Sequence, residues 1–249
     1  MDIRLDGKVA LVTGGYGAIG TAMCKALADS GCKVASNYRN REKAEKWQAQ
    51  CREEGYEFGI YEADVTDFDA CGRMAEAIEK ELGPIDILVN NAGMTWDGSF
   101  RKMTREQWDT VIRTNLDSVF NVTRHIAPGM TERGWGRIIN VSSINGQKGQ
   151  FGQVNYSASK AGMHGFTMAL AQEVARKGVT VNTLSPGYIA TEMVMKVPQN
   201  ILDQVIAQIP VGRLGTCEEV AAAVVFLASE QAAFINGANI AQNGGQHMH

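Results

Sequence analysis

The sequence contains no apolar run that approaches the length of a bilayer span, so no membrane-crossing helix is expected. Charge of one sign is also lacking. Against 24 Lys and Arg stand 27 Asp and Glu, a net charge of −3, which leaves no cationic footprint for a nucleic acid partner. Cysteine is sparse and unpatterned. Cys24, Cys32, Cys51, Cys71 and Cys217 are odd in number and include no C-x-x-C pair, so they read as reduced thiols in a reducing, cytoplasmic compartment. The four histidines, His125, His164, His247 and His249, make no metal-ligand constellation, and no metal is expected. The first residues carry an acid at Asp2 and run directly into a strand-like segment, unlike a secretion signal. Repeats, low-complexity stretches and linkers are missing as well.

What is present is a chain of 249 residues, 45% hydrophobic, enough for a substantial α/β core. Val9-Ala10-Leu11-Val12 is a short apolar strand running into Thr13-Gly14-Gly15-Tyr16-Gly17-Ala18-Ile19-Gly20. An amphipathic helix from Thr21 to Ser30 follows, then a strand at Lys33-Val34-Ala35-Ser36. Strand, glycine turn, helix, strand is the first βαβ unit of a dinucleotide-binding fold. Gly15, Gly17 and Gly20 match G-x-G-x-x-G, in which glycine backbone approaches a pyrophosphate seated on the helix N-terminus. The alternative is a tight turn without a ligand.

The end of the second strand, Asn37-Tyr38-Arg39-Asn40-Arg41, carries no carboxylate to bind a ribose 2′-hydroxyl, and Arg39 offers a planar fork for a 2′-phosphate. This favours NADP(H) over NAD(H), the alternative for Arg39 being a solvated basic turn. A third strand spans Phe58 to Ala63 and ends at Asp64-Val65, where Asp64 either accepts from an adenine amino group or begins a turn. Helix 67–82 stops at Gly83-Pro84. The almost uniformly apolar strand Ile85 to Val89 runs into Asn90-Asn91-Ala92-Gly93, small residues where a doubly wound sheet binds its ligand.

Downstream, Asn155-Tyr156-Ser157-Ala158-Ser159-Lys160 opens a helical stretch. Tyr156 and Lys160, four apart, project from one helix face with about 5–6 Å between Cβ atoms. An ammonium beside a phenol stabilises phenolate and brings its proton exchange nearer neutrality.

TGGYGAIG, NNAG, Ser143, Y-S-A-S-K and Pro186-Gly187 together resemble the short-chain dehydrogenase/reductase family over essentially the whole chain. The family pattern T-G-x-x-x-G-x-G falls on Thr13, Gly14, Ala18 and Gly20, so Ala18 replaces the middle glycine. The resemblance implies a single-domain Rossmann α/β fold over residues 1–249, a doubly wound parallel sheet of about seven strands with helices on both faces. It implies a catalytic group of Asn115, Ser143, Tyr156 and Lys160. Ser143, thirteen positions before Tyr156, would bind the substrate carbonyl, and its neighbour Ser142 would not. Tyr156 would protonate the developing alkoxide. Lys160 would hold the ribose and favour phenolate with the cationic oxidised ring, and Asn115 would help hold a relay water. The implied cofactor contacts are Gly14, Gly15, Tyr16, Gly17, Ala18, Ile19, Gly20, Arg39, Asp64, Val65, Asn91, Ala92, Gly93, Tyr156 and Lys160. Pro186, Gly187, Ile189 and Thr191 would complete them at the nicotinamide and diphosphate.

The run between Ser143 and Tyr156 borders the substrate in this family. Gln150 and Gln153 around Phe151 suit a short acyl chain with a second carbonyl, such as a thioester. This run, Phe100 to Thr104, Met168 to Glu173 and the ending Asn243 to Met248 are similar to the family's reductases of acetoacetyl-CoA in polyhydroxybutyrate synthesis. That implies an acyl-CoA substrate reduced with NADPH, met by Asp97, Ser143, Gln150, Phe151, Gln153, Tyr156, Gly187 and Tyr188. Trp96 departs from that group's pattern just before Asp97. Reduction of a 3-oxoacyl chain on acyl carrier protein is the alternative, and a catalytically silent binding protein a third. Residues 191–215 would form a mobile lid, or else an ordinary surface helix pair. Helices around 105–130 and 156–177 would pair between subunits of a homotetramer.

Overall fold

Short apolar runs in a chain of this length are best accommodated in a parallel sheet covered on both faces. The computed structural model describes residues 3–248, and seven strands form one sheet. They are β1 (Val9–Val12), β2 (Lys33–Tyr38), β3 (Phe58–Glu62), β4 (Ile85–Asn90), β5 (Gly136–Val141), β6 (Val179–Pro186) and β7 (Asn239–Gln242). Their order is β3-β2-β1-β4-β5-β6-β7, and every pairing is parallel. Chain order reverses between β1 and β4, which opens a crevice at their carboxyl ends, so this is the doubly wound Rossmann arrangement.

Alternation along the strands feeds two cores. Ala10, Val12, Ile87 and Val89 face α1 (Ala18–Asp29) and α2 (Arg41–Glu53), while Val9, Leu11, Ile85 and Leu88 face α3 (Phe68–Glu81). The first core also takes Val220 and Val224 of a late helix, and the second takes Val122, Ile126, Ala171 and Val174. Those residues belong to elements that continue the series. They are α4 (Arg105–Ile112), α5 (Ser118–Arg133), α6 (Ile144–Lys148), α7 (Val154–Val174), α8 (Glu192–Met195), α9 (Gln199–Ile206) and α10 (Cys217–Ala228). Among the described residues no helix is long and apolar enough to cross a membrane.

One difference from the sequence reading bears on the site. The helix expected around 105–130 is α4 and α5 joined by a π-helical turn, Arg113–Asp117. The segment at 191–215 is two short helices, α8 and α9, over a small core of their own formed by Leu202, Ile209 and Leu214 with Tyr188 against it. Other boundaries move by up to three residues, the first helix beginning at Ala18 rather than Thr21 and the last strand shifting by two. It begins at Asn239 because Gly237, at φ +72°, turns the chain before it. His249 lies outside the described residues.

Candidate active site

The loop after β1 is built for close approach of backbone to backbone. Gly14 has φ +66°, and a Cβ on Gly15 would lie 2.5 Å from Ser36 Oγ and 2.9 Å from Cys24 Sγ. A Cβ on Gly20 would lie 2.5 Å from Gly14 O, so that glycine closes α1 onto the loop. Side chains from β2 hold the turn: Gly15 N donates to Ser36 Oγ at 2.8 Å, and Gly14 N to Asn37 Oδ1 at 2.9 Å. Thr13 fastens it to the end of β4, because its Oγ1 accepts from both Asn91 N and Ala92 N at 3.0 Å.

Gly17 caps α1 without a side-chain hydrogen bond, and no acid stands in the first turn. By contrast Asn40, Asp67, Thr104 and Thr216 each cap their helices with a side chain. The free N–H groups and positive dipole end of α1 therefore face the crevice uncancelled, which suits a pyrophosphate. Ala18 is the first residue of this helix and is exposed, its methyl outside the packed core. Tyr16 and Ile19 pack against the core beside it. The donor set and the glycine cradle fit a dinucleotide.

At the end of β2, Asn37 bridges the loops, donating from Nδ2 to Ala63 O at 2.9 Å. Arg39 is exposed and lies 3.6 Å from the Asp64 carboxylate. Asp64 Oδ1 already accepts from Thr66 N and Thr66 Oγ1, both at 2.9 Å, the turn that sequence left as the alternative to an adenine contact. Burial pushes Asp64 up, but the Thr66 bonds and Arg39 outweigh it and hold the carboxyl below its usual range. Val65 is buried.

The candidate Ser143 follows the carboxyl end of β5, and Tyr156 and Lys160 lie in the first turns of α7. Ser143 caps α6, its Oγ accepting from Asn145 N at 3.1 Å, so its own proton remains free to donate elsewhere. Ser142 is different. Its Oγ donates to Lys160 O at 2.9 Å and meets His164 Nε2 at 3.0 Å, inside the fold. Asn155, fully buried, donates to Trp96 O and Gln107 O at 3.1 Å and accepts from Tyr156 N at 2.8 Å, fixing where α7 begins. Lys160 follows one turn later, 3% exposed, with Nζ 2.7 Å from Val141 O and 5.7 Å from the centre of the Tyr156 ring.

Burial brings Lys160 down to about 7. Burial likewise pushes the Tyr156 phenol up, against a downward pull from hydrogen bonding with Ser143 and with a further push from Asp97. Sequence reasoning expects the opposite shift for the phenol. The difference is desolvation: both charged forms lose water, and the ammonium points at a carbonyl oxygen rather than at the phenol.

Asn115 sits in the π-helical turn and is fully buried. Its Oδ1 accepts from Met94 N at 2.8 Å, and its Nδ2 donates to Met94 O at 2.9 Å and Ser159 Oγ at 3.1 Å. The Asn115 side chain is thus committed to the loop after β4. A Cβ on Gly93 would lie 3.3 Å from Asn115 Oδ1 and 3.4 Å from Lys160 Nζ, so a side chain there would crowd both.

One wall of the crevice is formed by two loops joined through Gly98 N to Gly152 O at 2.8 Å. Asp97 and Gln153 meet across it at 2.8 Å, whereas Gln150 is exposed and bonds Lys148, and Phe151 is 90% exposed. Gly187, Tyr188 and Ile189 instead line a cavity of about 310 Å³ with Ile209 and Arg213. That cavity includes none of Ser143, Tyr156 and Lys160. Pro186 ends β6, and Thr191 precedes α8. Sequence reasoning missed Thr13, Ser36, Asn37 and Asn145. For Thr13, directly after β1, the position at a strand end was the available signal. Among the described residues no cluster of His, Cys, Asp and Glu could hold a metal.

Comparison with known proteins agrees with this geometry. The family model for short chain dehydrogenases matches residues 8–202. The chain is 56% identical over 242 residues to an acetoacetyl-CoA reductase of Rhizobium meliloti, covering 97% of this chain and 99% of that protein. It is 54% identical over 242 residues to an acetoacetyl-CoA reductase of Cupriavidus necator, covering 97% and 98%. A 3-oxoacyl-[acyl-carrier-protein] reductase of Vibrio cholerae is 42% identical over 246 residues, covering 99% and 100%. With a Rossmann sheet, an uncapped glycine-rich helix start and a Ser–Tyr–Lys group over the crevice, the chain belongs to the short-chain dehydrogenase family and is a nicotinamide-dependent oxidoreductase.

Proposed function

We propose that the protein reduces acetoacetyl-CoA to (R)-3-hydroxybutyryl-CoA with NADPH, a step in polyhydroxybutyrate synthesis. The observation that carries the reading is a buried Lys160 with Nζ 5.7 Å from the centre of the Tyr156 ring, and Ser143 beside that phenol. The names of the relatives at 54–56% identity supply the substrate. When bound, the reduced nicotinamide supplies the hydride. Ser143 donates to the substrate carbonyl oxygen and holds it where charge develops, so the bond strengthens toward the transition state. Tyr156 delivers the proton to that oxygen, and Lys160, held by Val141 O, is the ionisable group behind it. Asn115 keeps the loop after β4 at its distance from Lys160.

The preference for NADPH rests on Arg39, whose contact with Asp64 at 3.6 Å is an exposed pair of little worth and yields to a 2′-phosphate. Residues 191–215, as a lid, close over the acyl chain. The protein works in the cytoplasm, consistent with five free, buried cysteines, as one domain within a homotetramer.

The test is NADPH oxidation with acetoacetyl-CoA against the same acyl group on acyl carrier protein, each repeated with NADH. A large kcat/KM advantage for the CoA ester with NADPH supports the reading. Preference for the carrier-protein ester, the reaction named for the 42% relative, moves the enzyme to fatty-acid synthesis. Tyr156→Phe should lose reduction by at least about a hundredfold while still binding NADPH. Full activity in that variant removes the mechanism.

A further inference from the structure

Asn145 has no role in the mechanism above, yet it is 8% exposed and joins two parts of the site. Its backbone N–H donates to Ser143 Oγ at 3.1 Å. Its Nδ2 donates to Gln153 Oε1 at 2.9 Å, and Gln153 Nε2 donates in turn to Asp97 Oδ2 at 2.8 Å. The three residues form a relay from the catalytic hydroxyl to the outer wall of the crevice. Its direction follows from chemistry at one end. A carboxylate can only accept, so Gln153 must turn its NH2 toward Asp97 and its carbonyl toward Asn145. Asn145 must then present its own NH2, and its Oδ1 is left buried with no hydrogen-bond partner among the described residues. A buried acceptor left unsatisfied is costly, which favours a functional over a structural explanation of this asparagine.

We propose that Asn145 is a positioning residue that locks the substrate-facing pair Gln153 and Asp97 to the Ser143 hydroxyl. The carbonyl end and the thioester end of a 3-oxoacyl substrate are thereby held at a set separation. This rests on the proposed substrate, since it takes Asp97 and Gln153 as the wall met by the acyl thioester. One residue thus touches the hydroxyl through its backbone and the wall through its side chain. A shift of α6 would move both together, whereas loss of the Asn145 amide would free the wall and leave Ser143 in place.

Reversing the relay tests it. Asn145→Asp replaces the donor by an acceptor and sets Gln153 between two carboxylates. It should raise KM for acetoacetyl-CoA about tenfold with a much smaller change in kcat. In an Asp97→Asn background Gln153 can flip, donating to the new carboxylate at position 145 and accepting from the new amide at position 97. There, adding Asn145→Asp should change KM by less than about twofold. An equal cost in both backgrounds overturns the proposal, because a merely structural asparagine knows nothing of Asp97. Should Asn145→Asp fail to fold, Asn145→Ala is measured with and without Gln153→Ala. A KM penalty that vanishes once Gln153 is gone upholds the relay, and a penalty that persists overturns it. Both cycles can also be read as melting temperature, with no substrate. If wild-type protein leaves acetoacetyl-CoA untouched, the substrate reading fails by itself. Coupling or additivity in the melting cycle then upholds or overturns the lock.

Discussion

Lys160 is the residue at which function works most directly against stability. It is an ammonium 3% exposed, with a single hydrogen bond to Val141 O. Its folded pKa of about 7 lies below the 10.5 of the free side chain, so between those values the unfolded chain binds more protons and stability rises with pH. Below pH 7 the charge is buried in full and the cost is greatest. Lys160→Met should therefore gain a few kcal/mol of unfolding free energy at about pH 6, less the value of the lost Val141 bond. The gain should shrink as pH rises from about 7 toward 10.5. Urea unfolding across that range checks it, and a gain independent of pH would mean that desolvation of the ammonium is not the cause. The glycines divide in the same manner. Gly15→Ala drives a methyl into Ser36 Oγ and Cys24 Sγ and should lower Tm by several degrees. Gly17→Ala meets nothing closer than Gly14 O at 3.5 Å, so it should leave Tm almost unchanged while weakening NADPH binding in a titration of cofactor fluorescence.

At the scale of elements, the π-helical turn between α4 and α5 is what brings Asn115 inward. One extra residue in the helical repeat rotates the chain, and Asn115 is buried where a continuous α-helix would place a neighbour. Asn115→Ala should cost about 1–3 kcal/mol, since it removes the partner of Met94 N and O in a half-buried loop. Chemical unfolding reads that loss, and a cost under about 0.5 kcal/mol would show the Met94 bonds to be dispensable. Sequence disclosed the strands as short, nearly continuous apolar runs and the helix of the candidate site by residue spacing along one face. Val9–Val12, Ile85–Asn90 and Lys160 one turn after Tyr156 are of this kind. The π turn was not legible, because an inserted residue has no composition of its own. The Asn145–Gln153–Asp97 relay was not legible either. Gln153 and Asp97 stand 56 positions apart, and only the folded loops bring them together. The raised phenol of Tyr156 belongs with these, since burial is set by packing and not by the spacing of two residues on a helix.

At the scale of the whole molecule, α7 has two faces with different duties. Ser159, Lys160, Met163, Thr167 and Ala171 are buried against the sheet. The opposite side carries Ala158, Ala161, Gly165, Met168 and Ala169, all exposed, and a Cβ on Gly165 would meet nothing within 4 Å. Phe120 on α5 is exposed as well, at 51%. Small residues on an outer face let another helix come close, and the proposed homotetramer has α7 of a second copy fill that space. Gly165→Glu separates the isolated chain from its assembly. In one chain the new side chain projects into open space and replaces a helical glycine, so the fold should be unharmed or stabilised by a few tenths of a kcal/mol. In an assembly packed through this face it places a carboxylate in a helix contact twice, once from each copy. Sedimentation velocity should find wild-type protein as a tetramer and Gly165→Glu as a smaller species, with the circular dichroism of both alike. A variant that still sediments as wild type would move the subunit contact elsewhere, and the exposed edge of β7 would be the next surface to substitute.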